Sequence, residues 1–554
     1  MSALTVFTAK RFYTMEPTLP TATAVAVLDG RVAGVGTLAD LAPWMAAHEY
    51  TIDDTFADQI VLPGFIDPHL HPFLPAVLSQ MPFIAPDPWS LPVGDYPGAT
   101  TSEEYWALLE QRFAAHDPSD GPFFSWGYHP LFHGPITRSD LDSRLSAEVP
   151  VVLWHRSFHE LFFNTPALAW ANIDGPDSLP ELPEVRACVD LASGHFWETG
   201  LMAVMPAVQG RFMAPERIGG GLMTVAEMAH RGGLTTIADM GTGLFTTPEA
   251  EAGILSMAFE RDETPFRLLM TPIETAFVSD GSTPAQALER CLALEQTSGS
   301  KVFFDKHVKL MADGAFYSQA FKLCAPGYID GHQGEWIVPP EMTTQMAEAF
   351  WGAGYQIHIH VNGDEGAQFC LDLLESLFNG HPRIDHRFTM EHWGYCTEDQ
   401  NRRLAVLGGQ VSGQPYYVHM LGDKYSEVGM GPDRAHQISR FGSLVGRGTP
   451  LALHSDCPMA PLEPLRLAWV AANRETLSGE SIGTNECLTV EQALRAITID
   501  AAWILRLENQ VGSIRSGKKA DFTVLDADPF EGGADGLKDI GVVATVFEGR
   551  AQPV

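Results

Sequence analysis

The sequence predicts an α/β protein built on a (β/α)8 barrel, with a small composite β-sandwich domain made from both chain ends and a large insertion after the first barrel strand. Three observations carry this reading. Short apolar runs alternate with helix-like stretches between residues 60 and 456, the rhythm of repeated βα units. Strand-like alternation marks both chain ends. The first and second apolar runs lie much further apart than one crossover helix requires.

In chain order, "ALTVFTAKRFYTM", "TATAVAVLDGRVAGVG" and "DQIVLPG" read as short strands, with Asp29-Gly30 as a hairpin turn. The same texture returns in "ADFTVLDADPF" and "GVVATVFEGRAQPV", so residues 1–62 and 507–554 are expected to share one β domain. Barrel strands are expected at 60–67, 234–240, 266–271, 306–314, 355–364, 386–392, 408–415 and 449–456, within a barrel of residues 63–506. Residues 75–215 form the insertion. It is rich in aromatic residues, Trp126 and Tyr128 among them, most of which are expected to fill its own core and the rest to line an apolar substrate pocket.

The totals narrow the partner. A net charge of -34 over 554 residues, without a Lys/Arg run, argues against nucleic acid and anionic membrane and for a small-molecule substrate. A homodimer is compatible with this. Seven scattered cysteines without a C-x-x-C pair fit thiols in a reducing compartment, and the start "MSALTVFTAKRFYTM" has no signal-peptide pattern, so a cytoplasmic location is expected.

Chemistry collects where the strands end. In "LPGFIDPHLHPF", His69 and His71 project the same way, because side chains alternate along a strand. "HVKLMADG" places Lys309 inside an apolar strand, where an unpartnered ammonium is costly; pairing with a carboxylate is the alternative to a functional role. "QIHIHVNGDEG" offers His358 and His360, "FTMEHWGY" offers His392, and "LALHSDCP" offers Asp456. Imidazoles, a lysine and a carboxylate thus recur at the ends of strands one, four, five, six and eight, the end at which such barrels place their chemistry.

With "LPGFIDPHLH", "VKLMADGAFYSQA", "IHIHVNGDEG", "TMEHWGY", "LALHSDCPMAPLEPL" and the closing "GSIRSGKKADFTVLD", the chain resembles the amidohydrolase superfamily, specifically its YtcJ-like (amidohydrolase 3) family, over nearly its whole length. The resemblance implies that His69 and His71 bind the more buried of two divalent metals. Lys309, carboxylated by CO2, would bridge to a second metal held by His360 and His392, and Asp456 would contact the first metal and carry protons. The chemistry agrees: a carboxylated lysine offers two anionic oxygens to metals ~3.5–4 Å apart, whereas an ammonium cannot bind a cation. Nitrogen and oxygen donors suit zinc, with Mn, Fe or Co as alternatives.

His358 competes with His360, and the register to "NGD" favours His360. His454 stands where the family has a small residue; it is expected to be a packed core histidine, with orientation of Asp456 as the alternative. The insertion reads "SWGYHPLFHG" in place of the family's Gly-Trp-Asp. Resemblance at "SFHELFFNTPAL" adds His159 to the substrate-binding candidates Trp126 and Tyr128, and "QPYYVHM" adds Tyr416. The expected activity is hydrolysis of a C–N bond in an amide, N-formyl or carbamate-like small molecule. Alternatives are a cyclic amide or lactone hydrolase, an amino-heterocycle deaminase, and a catalytically silent binding protein.

Overall fold

The computed structural model describes residues 4–554. The chain divides into two compact units, one comprising the chain up to His71 with Ala226–Gly314 and Gln319–Val554, the other Pro72–Val225 with Ala315–Ser318. The insertion unit therefore begins earlier and ends later than the expected 75–215, and it recruits a four-residue segment from a distant part of the sequence.

In the first unit, eight parallel strands are β1 (Phe65–Leu70), β2 (Leu234–Thr242), β3 (Arg267–Pro272), β4 (His307–Met311), β5 (Gln356–Val361), β6 (Thr389–His392), β7 (Gln410–Gly413) and β8 (Leu451–Leu453). β1 to β3 lie in one parallel sheet, which Val302–Phe304 extends beside β3, and β4 to β8 form another. Nearly every residue in these strands is buried, as expected of parallel strands covered on both faces. An isolated parallel bridge pairs Ile273 with Lys309. At the other junction Asp456 N donates to His69 O (2.9 Å) and His71 N to Cys457 O (3.3 Å).

The strands from the two chain ends pair directly. Ile60–Pro63 lies between Leu4–Tyr13, to which it is parallel, and Phe522–Leu525, to which it is antiparallel, with Val61 opposite Val524. The expected sandwich is one eight-stranded sheet with apolar residues clustered on both faces: Phe7, Val25, Phe522 and Val524 on one, Val6, Ala24, Ala26 and Leu41 on the other. Asp29 and Gly30 have φ of +51° and +74°, the left-handed pair required by a two-residue hairpin.

The run at 60–67, expected as one strand, is two. Ile60–Pro63 belongs to the end sheet and Phe65–Leu70 to the barrel-type sheet, with Gly64 between them. A β-carbon on Gly64 would lie 2.1 Å from Thr235 Oγ1. Gly64→Ala is therefore expected to destabilise the protein by about 1–3 kcal/mol, the usual cost of overpacking, measured as a lower urea midpoint. An unchanged midpoint would show that Thr235 moves aside freely.

The second unit holds a five-stranded sheet, in the order Val189–Asp190, His195–Trp197, Glu160–Phe163, Val151–His155, Phe123–Tyr128. Its core packs Tyr105, Trp106, Phe123, Tyr128 and Phe162 together with aliphatic residues. Among the described residues, no helix is long and apolar enough to cross a membrane.

Candidate functional site

The C-terminal ends of β1, β4, β5, β6 and β8 bring together the histidines, lysine and aspartate singled out from sequence. His69 Nε2 lies 3.5 Å from Asp456 Oδ1, and His71 Nε2 lies 3.2 Å from the same oxygen. His69, His71 and Asp456 can each present a ligand atom with all three atoms within 4.8 Å of one another. Lys309 Nζ stands 3.5 Å from His69 Nε2. The His392 ring lies 4.7 Å from that of His69 and 4.6 Å from that of His360, centroid to centroid. His360 stands outside the two tightest donor sets, which are His69–His71–Asp456 and His69–His392–His454.

The backbone is bent to make this cluster. His392 and Asp456 both adopt left-handed backbone, with φ of +70° and +50°. Non-glycine residues there cost of order 1–3 kcal/mol and persist where the surroundings enforce them. Gly241 leaves room for His71, since a β-carbon at 241 would come within 2.6 Å of His71 Nδ1. At the end of β4, Asp313 accepts backbone N–H groups from Asn362 (2.9 Å), Gly363 (2.8 Å) and Lys322 (2.9 Å), which fixes the "NGD" loop directly after His360.

His69 is held in a form suited to a cation. Glu391, which the sequence reading missed, accepts from His69 Nδ1 at 2.6 Å. Because a carboxylate only accepts, the His69 proton sits on Nδ1 and the Nε2 lone pair faces Lys309 and Asp456, the arrangement in which a carboxylate orients a metal-binding imidazole. Burial, followed by the charge of Lys309, lowers the His69 imidazole well below its ordinary range. Burial likewise lowers the Lys309 amine to about 8, so a fraction is neutral near neutral pH and has a free lone pair. Burial alone would raise the Glu391 carboxyl, but its hydrogen bond from His358 and the charge of Lys309 hold it at about 2.

The structure separates the two strand-five histidines. His358 is engaged at both ring nitrogens, Nδ1 with Glu391 Oε1 (2.6 Å) and Nε2 with His307 Nδ1 (2.9 Å), whereas His360 stands beside His392. His454 is fully buried, as a core histidine is expected to be, and its ring hydrogen bonds reach His392 and Ser412. Its Nε2 meets His392 Nδ1 at 3.1 Å and its Nδ1 meets Ser412 Oγ at 2.8 Å. If His454 Nδ1 donates to Ser412, His392 donates from Nδ1 and keeps its Nε2 lone pair free, so His454 can orient His392.

The proposed substrate contacts fall in several places. Trp126 and Tyr128 are fully buried in the insertion unit. Trp126 packs against Phe83, Trp89 and Phe158 beneath the Arg156 guanidinium, and Tyr128 donates its hydroxyl to Gly134 O at 2.7 Å. In the same unit His159 Nδ1 lies 2.9 Å from Glu198 Oε2. Tyr416 follows β7 with its ring against His419 (5.2 Å), while its neighbour Tyr417 is the tyrosine near the cluster, 6.3 Å from His392.

Fold and donor set together define a class: an α/β protein whose parallel strands carry, at their C-terminal ends, imidazoles, a carboxylate and a buried lysine arranged around a locus that fits a divalent cation. The model of the Amidohydrolase family matches residues 57–551, and the chain belongs to that family. It is similar to the putative amidohydrolase YtcJ of Bacillus subtilis (strain 168), 25% identical over 562 residues that cover 97% of each chain. It is also similar to an N-substituted formamide deformylase of Arthrobacter pascens, 25% identical over 546 residues, 95% of this chain and 94% of that one. Among solved structures, an uncharacterized metal-dependent hydrolase from Pyrococcus horikoshii OT3 superposes with a TM-score of 0.70 at 20% identity, covering 95% of this chain and 98% of that chain.

Proposed function

We propose that the protein is a metal-dependent amidohydrolase that cleaves a C–N bond, amide, N-formyl or carbamate-like, in a small apolar or aromatic molecule. The observation that carries this is the set of His69 Nε2, His71 Nε2 and Asp456 Oδ1 at the strand ends, with His69 held in the ligand-ready tautomer by Glu391. The similarity to a formamide deformylase supports the choice of bond. On this reading the two parallel sheets are the halves of one (β/α)8 barrel, joined at Ile273–Lys309 and at the Asp456–His69 and His71–Cys457 hydrogen bonds. The seven free cysteines support a reducing compartment such as the cytoplasm.

His69, His71 and Asp456 would hold one ion, and His360, His392 and carboxylated Lys309 would complete a pair. A divalent ion held there would supply Lewis acidity and would lower the pKa of water toward ≈ 7. The protein's own residues do the rest. Asp456 accepts the proton of the attacking water and returns it to the departing nitrogen, so one carboxylate serves as base and then as acid. His69, His360 and His392 are buried, which limits competing water and strengthens charge interactions around them, while His71 is partly exposed.

A one-ion site is the second reading, favoured by the position of His360 outside both tight donor sets. Metal analysis of the purified protein, followed by a screen of N-acyl, N-formyl, carbamate and ester substrates with aromatic and aliphatic groups, separates the alternatives. Release of free amine that stops on chelation and returns with zinc is the expected result. Protein that binds no divalent ion, or that turns over equally well after chelation, would falsify the proposal.

A further inference from the structure

We infer that Glu391, braced by His358 and His307, is a positioning residue that locks His69 in the tautomer whose Nε2 faces the metal locus. The inference rests on the proposed reading of His69 as a ligand. It follows from counting protons along one line of buried side chains. Glu391 Oε2 meets His69 Nδ1 at 2.6 Å and Glu391 Oε1 meets His358 Nδ1 at 2.6 Å. A carboxylate has no proton to give, so both Nδ1 atoms must carry one. A neutral imidazole holds a single ring proton, which leaves each Nε2 as a bare lone pair.

On His69 that lone pair faces Lys309 Nζ and Asp456 Oδ1, each 3.5 Å away. On His358 it faces His307 Nδ1 at 2.9 Å and the Gln356 amide nitrogen at 3.1 Å, both able to donate. His307 Nδ1 then carries the His307 proton, and its buried Nε2 has no hydrogen-bond partner among the described residues. Every N–H in the run can therefore point the same way, from His307 through His358 to Glu391, which His69 meets from the other side. The spine reaches across β4, β5, β6 and β1 and is buried throughout.

A purely structural role explains the spine poorly. Buried charged networks are seldom more stable than apolar packing of the same volume, and this one leaves an acceptor unsatisfied. Orientation of a ligand accounts for its polarity, because an acceptor-only carboxylate takes Nδ1–H from His69 through one oxygen and from His358 through the other. Residues in this outer position typically affect metal affinity by 10–100-fold.

The test is zinc affinity of the full-length protein, measured by competition with a chromophoric chelator, with thermal unfolding of each variant in chelator recorded alongside. In Glu391→Gln the side-chain amide can accept from only one of the two imidazoles, so His69 or His358 must reverse its tautomer. Zinc affinity is expected to fall about 10–100-fold. His358→Leu removes the brace and is expected to weaken zinc by about 10-fold, whereas His358→Gln, whose amide can still donate to Glu391, is expected to recover most of it. A structural role alone would lower the unfolding temperature while leaving the zinc affinity of the folded fraction unchanged, and that result overturns the inference. If Glu391→Gln does not fold, the His358 pair decides: equal affinity in the Leu and Gln variants overturns the inference, and tighter zinc in the Gln variant supports it. Wild-type protein that binds no zinc overturns the proposed metal reading instead, so the two failures are distinct.

Discussion

If Lys309 bridges the proposed metal pair, Lys309→Ala is expected to lose metal and activity together, from about two divalent ions per chain to one or fewer, with kcat/KM falling by at least about 10³-fold, since a bridging anion there would supply several kcal/mol of charge stabilisation. Lys309 is buried, and its Nζ lies 3.5 Å from His69 Nε2. As an ammonium ~4 Å from a divalent ion it would be repelled by about 8 kcal/mol per ion at an effective dielectric of 20, so it cannot remain a cation in a loaded site. Uptake of CO2 by the neutral amine would release a proton and turn the side chain into an anion, offsetting the charge that neutral imidazoles and Asp456 would leave uncompensated in the proposed site. Formate or acetate, small enough to enter the space left by alanine, is expected to restore part of both losses in the presence of bicarbonate. Lys309→Arg is expected to restore neither, because guanidinium stays charged and cannot take up CO2. Two ions and near-normal turnover in Lys309→Ala would replace the bridged pair with a single-ion site on His69, His71 and Asp456.

The paired histidines legible in the sequence are those that obey strand alternation, whereas Lys309, His392 and Asp456 were legible singly by their place in or after apolar runs. His69 and His71 are two apart, as are His358 and His360, so each pair shares a face, and each follows an apolar run that marks the strand. Glu391 was invisible for the same reason. It is adjacent to His392, so alternation sends the two to opposite faces, yet both belong to the cluster because His392 leaves extended geometry for φ +70° at the strand end. Nothing in "TMEHWGY" announces that turn. The division of 60–67 into two strands was hidden differently. Strands buried on both faces lack periodicity, and the break at Gly64 follows from the close approach of Thr235, a tertiary contact. His454 was visible as an unusual residue, but its partner His392 is 62 positions away, and only the folded register of β6, β7 and β8 brings them together.

Asp456→Asn is the sharper test of chemistry, because it keeps the shape of the side chain and removes its ability to carry a proton. Asp456 stands among three imidazoles, with Oδ1 3.2 Å from His71 Nε2 and 3.5 Å from His69 Nε2, and Oδ2 3.7 Å from His392 Nδ1. Its left-handed backbone and the hydrogen bond from its own N–H to His69 O fix that position. An amide of the same size keeps the packing but cannot accept the water's proton or pass one to the leaving nitrogen. If Asp456 is the proton carrier of the proposed reaction, the expected loss in kcat is about 10²–10⁴-fold, with KM little changed, since such a group acts on the reacting atoms rather than on substrate binding. Metal should be weakened less than in Lys309→Ala, because asparagine keeps a carbonyl oxygen that can act as a ligand whereas alanine offers none. Asp456→Glu retains the proton carrier but advances it by one methylene, and misplacement of about 1 Å is enough to cost about 10²-fold. Turnover in Asp456→Asn within tenfold of wild type, with full metal content, would remove Asp456 from the proton path and assign that role to another acid at the strand ends, for which Asp239, 4.0 Å from His71 Nδ1, is a candidate.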